Sequence, residues 1–264
     1  MDIDFFGLME NKLGVQVSAF PAREDAWYLP ASKLLEPGVM GRLLDEFSPR
    51  IRSADRTTAA TYFAGYFGGV ALALQLALSL RDVVPDLSLG NLEAAILGDA
   101  DKAYVRFRVV RWQEQGNDGT KARKDWCAEA LSSFYRNEAM PLIASLSSSS
   151  GLHPRELWGQ MPTRFRNAVV LLQEEMAGSE NLLRLNSDYS VLREGLEPVR
   201  CFGLPRNPFQ SAIRLVEPLK GTGKPAAIKA ACCLYYKTDG GSFCYTCPRL
   251  KEEERAARRA GFAE

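Results

Sequence analysis

The sequence predicts an α+β fold, predominantly α-helical, with one small antiparallel sheet and a C-terminal cysteine-rich segment. Three observations carry that expectation. Apolar residues recur at three- and four-residue spacing through most of the chain, one stretch near residues 92–112 alternates instead, and four of the six cysteines crowd between positions 232 and 247. The sequence contains neither an internal repeat nor a heptad array.

From Ala31 to Ile51, residues Leu34, Leu35, Val39, Met40, Leu43, Leu44 and Phe47 keep helical spacing. Pro37 marks an early turn, so the regular helix is the second half. Ser53 is the expected N-cap of the next helix. Residues 59–80 of that helix carry no charge and are long enough to cross a bilayer. Gly65, Gly68, Gly69, Thr61, Gln75 and Ser79 dilute the run, and no flank is asymmetrically basic, so a buried central helix is expected. It should stop near Arg81, ahead of Pro85 and the Gly90-Asn91 pair.

Leu92, Ala94 and Ile96 then precede a Gly98-Asp99 turn, after which Val105, Phe107 and Val109 alternate with Tyr104, Arg106 and Arg108, which predicts a hairpin. The polar run Gln113 to Lys124 reads as a loop, and Asp125 to about Leu146 as a helix ended by Ser147 to Ser150. His153-Pro154 opens another helix through Leu157, Trp158, Met161, Phe165, Val169 and Leu172, ending around Gly178. Beyond Pro198 the texture is irregular until an apolar stretch from Ala226 to Tyr236 leads into the cysteines. The tail is an amphiphilic helix, acidic first and carrying Arg255, Arg258 and Arg259 late, as the helix dipole favours. The chain thus divides into a mainly helical region 1–225 and a segment 226–264, expected to form one compact unit.

A chain of 264 residues buries enough surface to fold without disulfides. Its 33 basic and 32 acidic residues leave a net charge of +1, which excludes a bulk electrostatic pull toward nucleic acid or anionic membrane. The start, Met1-Asp2-Ile3-Asp4, is acidic where a secretory leader needs a basic end, so a cytoplasmic protein is expected. In that reducing compartment, crowded cysteines point to metal or redox chemistry before structural disulfides. Cys127 and Cys201 stand alone and read as small buried apolar residues.

Cys232, Cys233, Cys244 and Cys247 form the pattern C-C-x10-C-x2-C. The short C-x2-C loop makes Cys244 and Cys247 the natural chelating half, and Gly240 and Gly241 let the chain fold back over the site. Adjacent cysteines in extended chain project oppositely. Cys232 and Cys233 therefore fit a binuclear [2Fe-2S] rhomb more readily than a single ion, although a zinc site and a dithiol redox pair remain alternatives at this point.

This pattern at the C-terminus of a chain of this size, with the upstream Leu157-Trp158-Gly159 element, resembles the FhuF-like ferric siderophore reductase family. The resemblance implies that Cys232, Cys233, Cys244 and Cys247 hold a [2Fe-2S] cluster, with residues 1–225 as the substrate-binding core and 226–264 as the cluster-binding segment. It further implies one-electron reduction of siderophore-bound ferric iron, a hydroxamate chelate first among the candidates. Iron would be released in the cytoplasm, with electrons from an external ferredoxin or reductase and transient association with the inner membrane. The rival expectations are a zinc-stabilised ligand-binding protein and a [2Fe-2S] electron carrier with a protein acceptor. No catalytic side chain is assigned.

Lys237, Arg249 and the backbone N–H groups around Gly240 and Gly241 are candidates to offset the cluster's negative charge, with solvated surface charge as the plainer expectation for the two side chains, and Tyr235, Tyr236, Phe243 and Tyr245 are candidates to shield it or equally ordinary packing around a metal knuckle. His153, the only histidine, is expected to cap a helix. Arg106, Arg108, Arg164 and Arg166 are candidate contacts for an anionic chelate, with a solvated surface as the plainer expectation, and Trp158 is placed in the core ahead of a pocket wall. Gly221-Thr222-Gly223-Lys224 is not a phosphate loop, because Pro225 follows the lysine and Pro218 occupies the first glycine position. The chain also lacks a G-x-G-x-x-G dinucleotide fingerprint.

Overall fold

In the computed structural model, residues 4–20, 27–98, 102–175, 179–220 and 223–261 are described. The helices are α1 (Phe5–Leu8), α2 (Val39–Arg50), α3 (Arg56–Leu76), α4 (Arg123–Phe134), α5 (Met140–Ser150), α6 (Pro154–Trp158), α7 (Gln160–Glu175), α8 (Glu180–Ser190), α9 (Pro198–Phe202) and α10 (Glu252–Ala260). The strands are β1 (Val15–Gln16), β2 (Trp27–Pro30), β3 (Val83–Pro85), β4 (Leu92–Leu97), β5 (Tyr104–Val109), β6 (Glu114–Gly116), β7 (Leu215–Val216) and β8 (Ala226–Ala227). The chain is 57% helical, an α+β fold dominated by helix.

α3 is the axis of the molecule. Its apolar run is 83% buried inside the protein, as a core helix requires, although it is long and apolar enough to cross a membrane. The cap is Asp55 and not Ser53: the Asp55 carboxylate accepts from Thr57 N, while Ser53 bridges to Thr238 and gives its hydroxyl to the Asp55 carbonyl. The helix widens into a last turn over Ala77–Arg81 and stops where Asp82 turns left-handed, as the pattern predicts. Close approach explains Gly69. A Cβ there would sit 2.1 Å from the Leu13 carbonyl oxygen, the group that also accepts a 2.6 Å bond from Arg164.

The predicted hairpin is present, pairing Leu92 with Val109 through Leu97 with Tyr104. β5 alternates buried and half-buried residues, and Phe107 meets the Phe63 and Phe67 rings of α3 at 5.6 and 5.5 Å, which seats the sheet on the helix. The sheet is larger than the hairpin: its order is β1-β5-β4-β2, with β2 antiparallel to β4 and β1 parallel to β5. β3 pairs with β6 inside the run expected to be loop, and β7 pairs with β8.

Among the helices, Ala31–Leu35 is a separate 3-10 turn and α2 begins after Gly38, so Pro37 does mark the break. The serines Ser147 to Ser150 lie inside α5, which ends at left-handed Gly151. His153 caps α6 as expected, its Nδ1 accepting from Arg155 N at 3.1 Å. Trp158 is fully buried against Tyr135 and Phe202 and donates to the Phe202 carbonyl, so it belongs to the core. The turn residue Asp99, the helix end at Gly178, and Gly221 and Thr222 lie outside the described residues.

Buried Asp188 on α8 joins three elements, accepting from Arg123 Nη2 at 2.7 Å, from Ser79 Oγ at 2.9 Å and from Cys127 Sγ at 3.5 Å. Burial and then the Asp188 charge push the Cys127 thiol up to about 12, so it stays protonated. Cys201 is equally buried.

Candidate metal centre

The C-terminal segment lies across the N-terminal end of α3 and the start of α7. Thr61 Oγ1 donates to the Cys233 carbonyl at 2.8 Å, Gln160 Nε2 to the Cys232 carbonyl at 3.1 Å, and Thr163 Oγ1 accepts from Ala230 N at 3.0 Å. These bonds fix the backbone on both sides of the adjacent cysteines. Leu234 then turns left-handed with φ 59°, so the chain reverses immediately after Cys233. Gly241 is needed for the return: a Cβ there would stand 2.0 Å from the Tyr235 carbonyl oxygen and 2.7 Å from Thr238 Oγ1. Gly240 is left-handed, with φ 69°.

The four sulfurs come together in two pairs, and the pairing crosses the motif. Cys232 Sγ lies 3.5 Å from Cys247 Sγ, and Cys233 pairs with Cys244. The C-x2-C half therefore does not close on itself as the spacing predicts. The oppositely directed side chains of Cys232 and Cys233 each take one of its sulfurs, while the Cys247 N–H to Cys244 carbonyl turn at 2.9 Å holds those two at the right separation. Two thiolates on one tetrahedral metal with bonds of about 2.3 Å sit about 3.8 Å apart, close to the Cys232–Cys247 separation. Among the described residues no three His, Cys, Asp or Glu side chains converge where a single ion would sit. Two close pairs are the donor arrangement a two-metal rhomb takes, two sulfurs to each metal.

As free thiols, the outer pair shares its proton unequally. The Cys244 thiol donates to Cys233 and outweighs burial; with the Tyr235 N–H and the Lys229 ammonium it pulls Cys233 down to about 5, and Cys244 is pushed up. Burial pushes Cys232 up to about 11 despite the Leu234 N–H that it accepts. The backbone donors to sulfur are Leu234 N at 3.4 Å on Cys232, Arg249 N at 3.4 Å on Cys247 and the Tyr235 N–H on Cys233. They replace the expected donors around Gly240 and Gly241, where Gly241 N is already bonded to the Thr238 carbonyl.

Residues 230–249 match the FhuF 2Fe-2S C-terminal domain. A [2Fe-2S] cluster is the cofactor to which that domain points. No curated protein matches the chain.

Around this FhuF-type segment, the two cations that were candidates to face the sulfurs are bound elsewhere. Lys237 is held by Asp55 at 2.8 Å and Thr57 at 2.9 Å, and Arg249 by Glu156 at 3.3 Å and the Tyr236 hydroxyl at 2.9 Å. Lys229 reaches a cysteine instead, with Nζ 3.5 Å from Cys233 Sγ. Burial disfavours its charge, but the neighbouring sulfurs of Cys233 and Cys244 outweigh this and raise its pKa. Tyr62 of α3 faces the same edge, where burial and then the Cys233 charge raise its pKa.

The tail helix α10 closes the site from behind. Arg255 is 3% exposed, and its guanidinium donates to the carbonyls of Tyr245 at 3.0 Å, Cys247 at 3.1 Å and Leu250 at 3.1 Å. Arg258 donates to the Phe243 carbonyl at 2.6 Å. Spacing in the tail shows an amphiphilic helix, but not that its arginines lock the cysteine loop.

Of the expected shielding residues, Tyr236 and Phe243 pack at 4.5 Å, Tyr245 bonds the Glu217 carbonyl and Tyr235 is exposed. The four candidate chelate contacts are mostly engaged in the fold. Arg108 pairs with Glu93, Arg106 lies over Tyr104, Arg166 donates to the Ile228 carbonyl, and Arg164 holds the carbonyls of Gly65, Lys12 and Leu13. Arg164 is therefore a strut between α7 and α3 and not a solvated surface charge.

Proposed function

We propose that Cys232 and Cys247 hold one iron and Cys233 and Cys244 the other of a [2Fe-2S] cluster, and that the protein reduces siderophore-bound ferric iron by one electron. The observation that carries the reading is the FhuF 2Fe-2S match over residues in which the four sulfurs form two close pairs. When bound, such a centre supplies a single electron, and ferric iron held by hard hydroxamate oxygens is loosened once it becomes ferrous. The protein's own part is to hold four thiolates, to present an edge and to limit water. Cys247 is buried while Cys232, Cys233 and Cys244 are half-buried, so the Cys233–Cys244 side forms the outward edge beside exposed Tyr235.

Electron transfer needs no acid or base residue, which accords with the lack of an assigned catalytic side chain. A cavity of about 570 Å³ lies near Leu74, Gln115 and Trp126. Leu74 is sixteen residues along α3 from Thr58, which touches the cysteine segment, or roughly 24 Å at 1.5 Å per residue. This distance supports a reading in which the chelate meets the outward cysteine edge and not this cavity. Cytoplasmic location and an external ferredoxin or reductase as donor belong to the same proposal.

The test is an anaerobic visible and EPR spectrum before and after dithionite, followed by ferric hydroxamate. Bands that bleach, an S = 1/2 signal and reoxidation by the chelate support it. A colourless protein carrying stoichiometric zinc sinks it, and reoxidation by protein acceptors alone makes the protein an electron carrier.

A further inference from the structure

Reducing a cluster on four thiolates adds a negative charge to an already negative group, and nearby donors and cations determine how readily that happens. Most cations around the site are already committed. Lys237 is held by Asp55, Arg249 by Glu156, and Arg255 by three carbonyls and Glu252. Lys229 differs from all of them. Its ammonium lies 3.5 Å from Cys233 Sγ, and no carboxylate stands within ion-pair distance of it among the described residues.

Its position is built into the backbone. Lys229 N donates to the Thr246 carbonyl at 2.9 Å, inside the C-x2-C loop. The flanking residues are held too, Ile228 N by the Arg214 carbonyl at 2.9 Å and Ala230 N by Thr163 Oγ1 at 3.0 Å. The lysine stem therefore starts from a fixed point between the cysteine loop and α7. Its half-buried course leaves the head group on the outward pair of sulfurs, where screening by water is weakened.

Resting on the four-cysteine reading above, we propose that Lys229 sets the reduction potential of the cluster, its ammonium stabilising the reduced form through Cys233. It is a positioning residue for charge and carries no proton in the reaction. Because the attraction grows when the extra electron arrives, loss of the ammonium disfavours reduction while leaving the four ligands in place.

The experiment uses the anaerobically purified full chain and its Lys229→Met, Lys229→Gln and Lys229→Arg variants. Visible spectra and iron content come first, followed by an EPR-monitored potentiometric titration at one pH and one ionic strength. The expected result for Lys229→Met is a roughly tenfold fall in the equilibrium constant for reduction, which is about 59 mV for one electron. Lys229→Gln keeps a donor without the charge and falls between, and Lys229→Arg stays within about twofold of the parent. A Lys229→Met protein with a full cluster and the parent potential overturns the assignment. Should that variant fail to load, the arginine and glutamine variants decide, and equal potentials for the two overturn it equally. A parent chain with no cluster shows itself in the first spectrum, before any potential is read, and removes the four-cysteine reading itself.

Discussion

Replacing Arg255 by methionine tests whether the tail helix holds the cysteine loop. The methionine stem keeps most of the packing, so what is lost is the guanidinium with its exposed ion pair to Glu252 and its bonds to the carbonyls of Tyr245, Cys247 and Leu250. The bonds to Cys247 and Leu250 are buried, and an orphaned buried acceptor costs ~1–3 kcal/mol. At about 1.5 kcal/mol for each of those two carbonyls, the closed loop loses about 3 kcal/mol relative to an opened one. With tenfold per 1.4 kcal/mol, opening rises roughly a hundredfold. The assay is the rate at which a strong iron chelator bleaches the visible bands, read beside hydrogen exchange of amides 244–250. Both should accelerate by about the same factor, with Arg255→Lys intermediate because an ammonium reaches fewer carbonyls. Iron loss within threefold of the parent, with exchange of 244–250 unchanged, would refute the clamp.

The remaining expectations can be tested together. Asp55→Asn should keep the cap of α3 yet release Lys237, and Asp55→Ala should cost about 1 kcal/mol in chemical unfolding by removing the cap as well. Burial pushes the Asp55 carboxyl up, but the bonds from Lys237 and Thr57 outweigh it and hold it at about 2. Its stabilising effect is thus complete above the unfolded value of about 3.9 and is lost as pH falls through about 2, and Asp55→Asn should flatten the stability profile in that window. Gly241→Ala should lose most of its iron because its Cβ collides with the Tyr235 carbonyl. Gly240→Ala, with open space around it, should retain iron and lose about 1 kcal/mol to left-handed strain, read as a lower Tm. Serine at any of Cys232, Cys233, Cys244 or Cys247 should at least halve iron and sulfide content, whereas Cys127→Ser and Cys201→Ser should match the parent.

What the sequence showed depended on period and spacing. The uncharged run became α3, and the alternation about Phe107 became a hairpin, because each has one repeat and one environment. β1 has two residues and no period, and β6 lies in a polar run that becomes a strand only by pairing with Val83–Pro85. α8 passed unnoticed because Asn186, Ser187 and Asp188 interrupt its stripe, yet Asp188 faces inward to an arginine. Ser53 and Asp55 are equally good caps on paper, and Asp55 serves, with its other oxygen taken by Lys237 from far along the chain.

At the site, the four cysteines stand out from their spacing, but which sulfurs pair does not. That depends on the left-handed Leu234 and on which way each side chain leaves the turn. Which cation reaches the sulfurs is hidden for a related reason. Lys237 lies inside the motif and Arg249 just past it, but carboxylates elsewhere in the chain claim them, while Lys229, three residues before Cys232, is aimed by a backbone bond to Thr246.

The anchorage of the cysteine segment on Thr58, Thr61, Gln160 and Thr163 has a consequence for how the protein is made. All four anchors leave the ribosome before the first cysteine of the motif, and a chain growing from its N-terminus can bury α3 while the thiols are still unsynthesised. Maturation is thus ordered: the platform is standing when the ligands arrive, and metallation is the closing act of assembly.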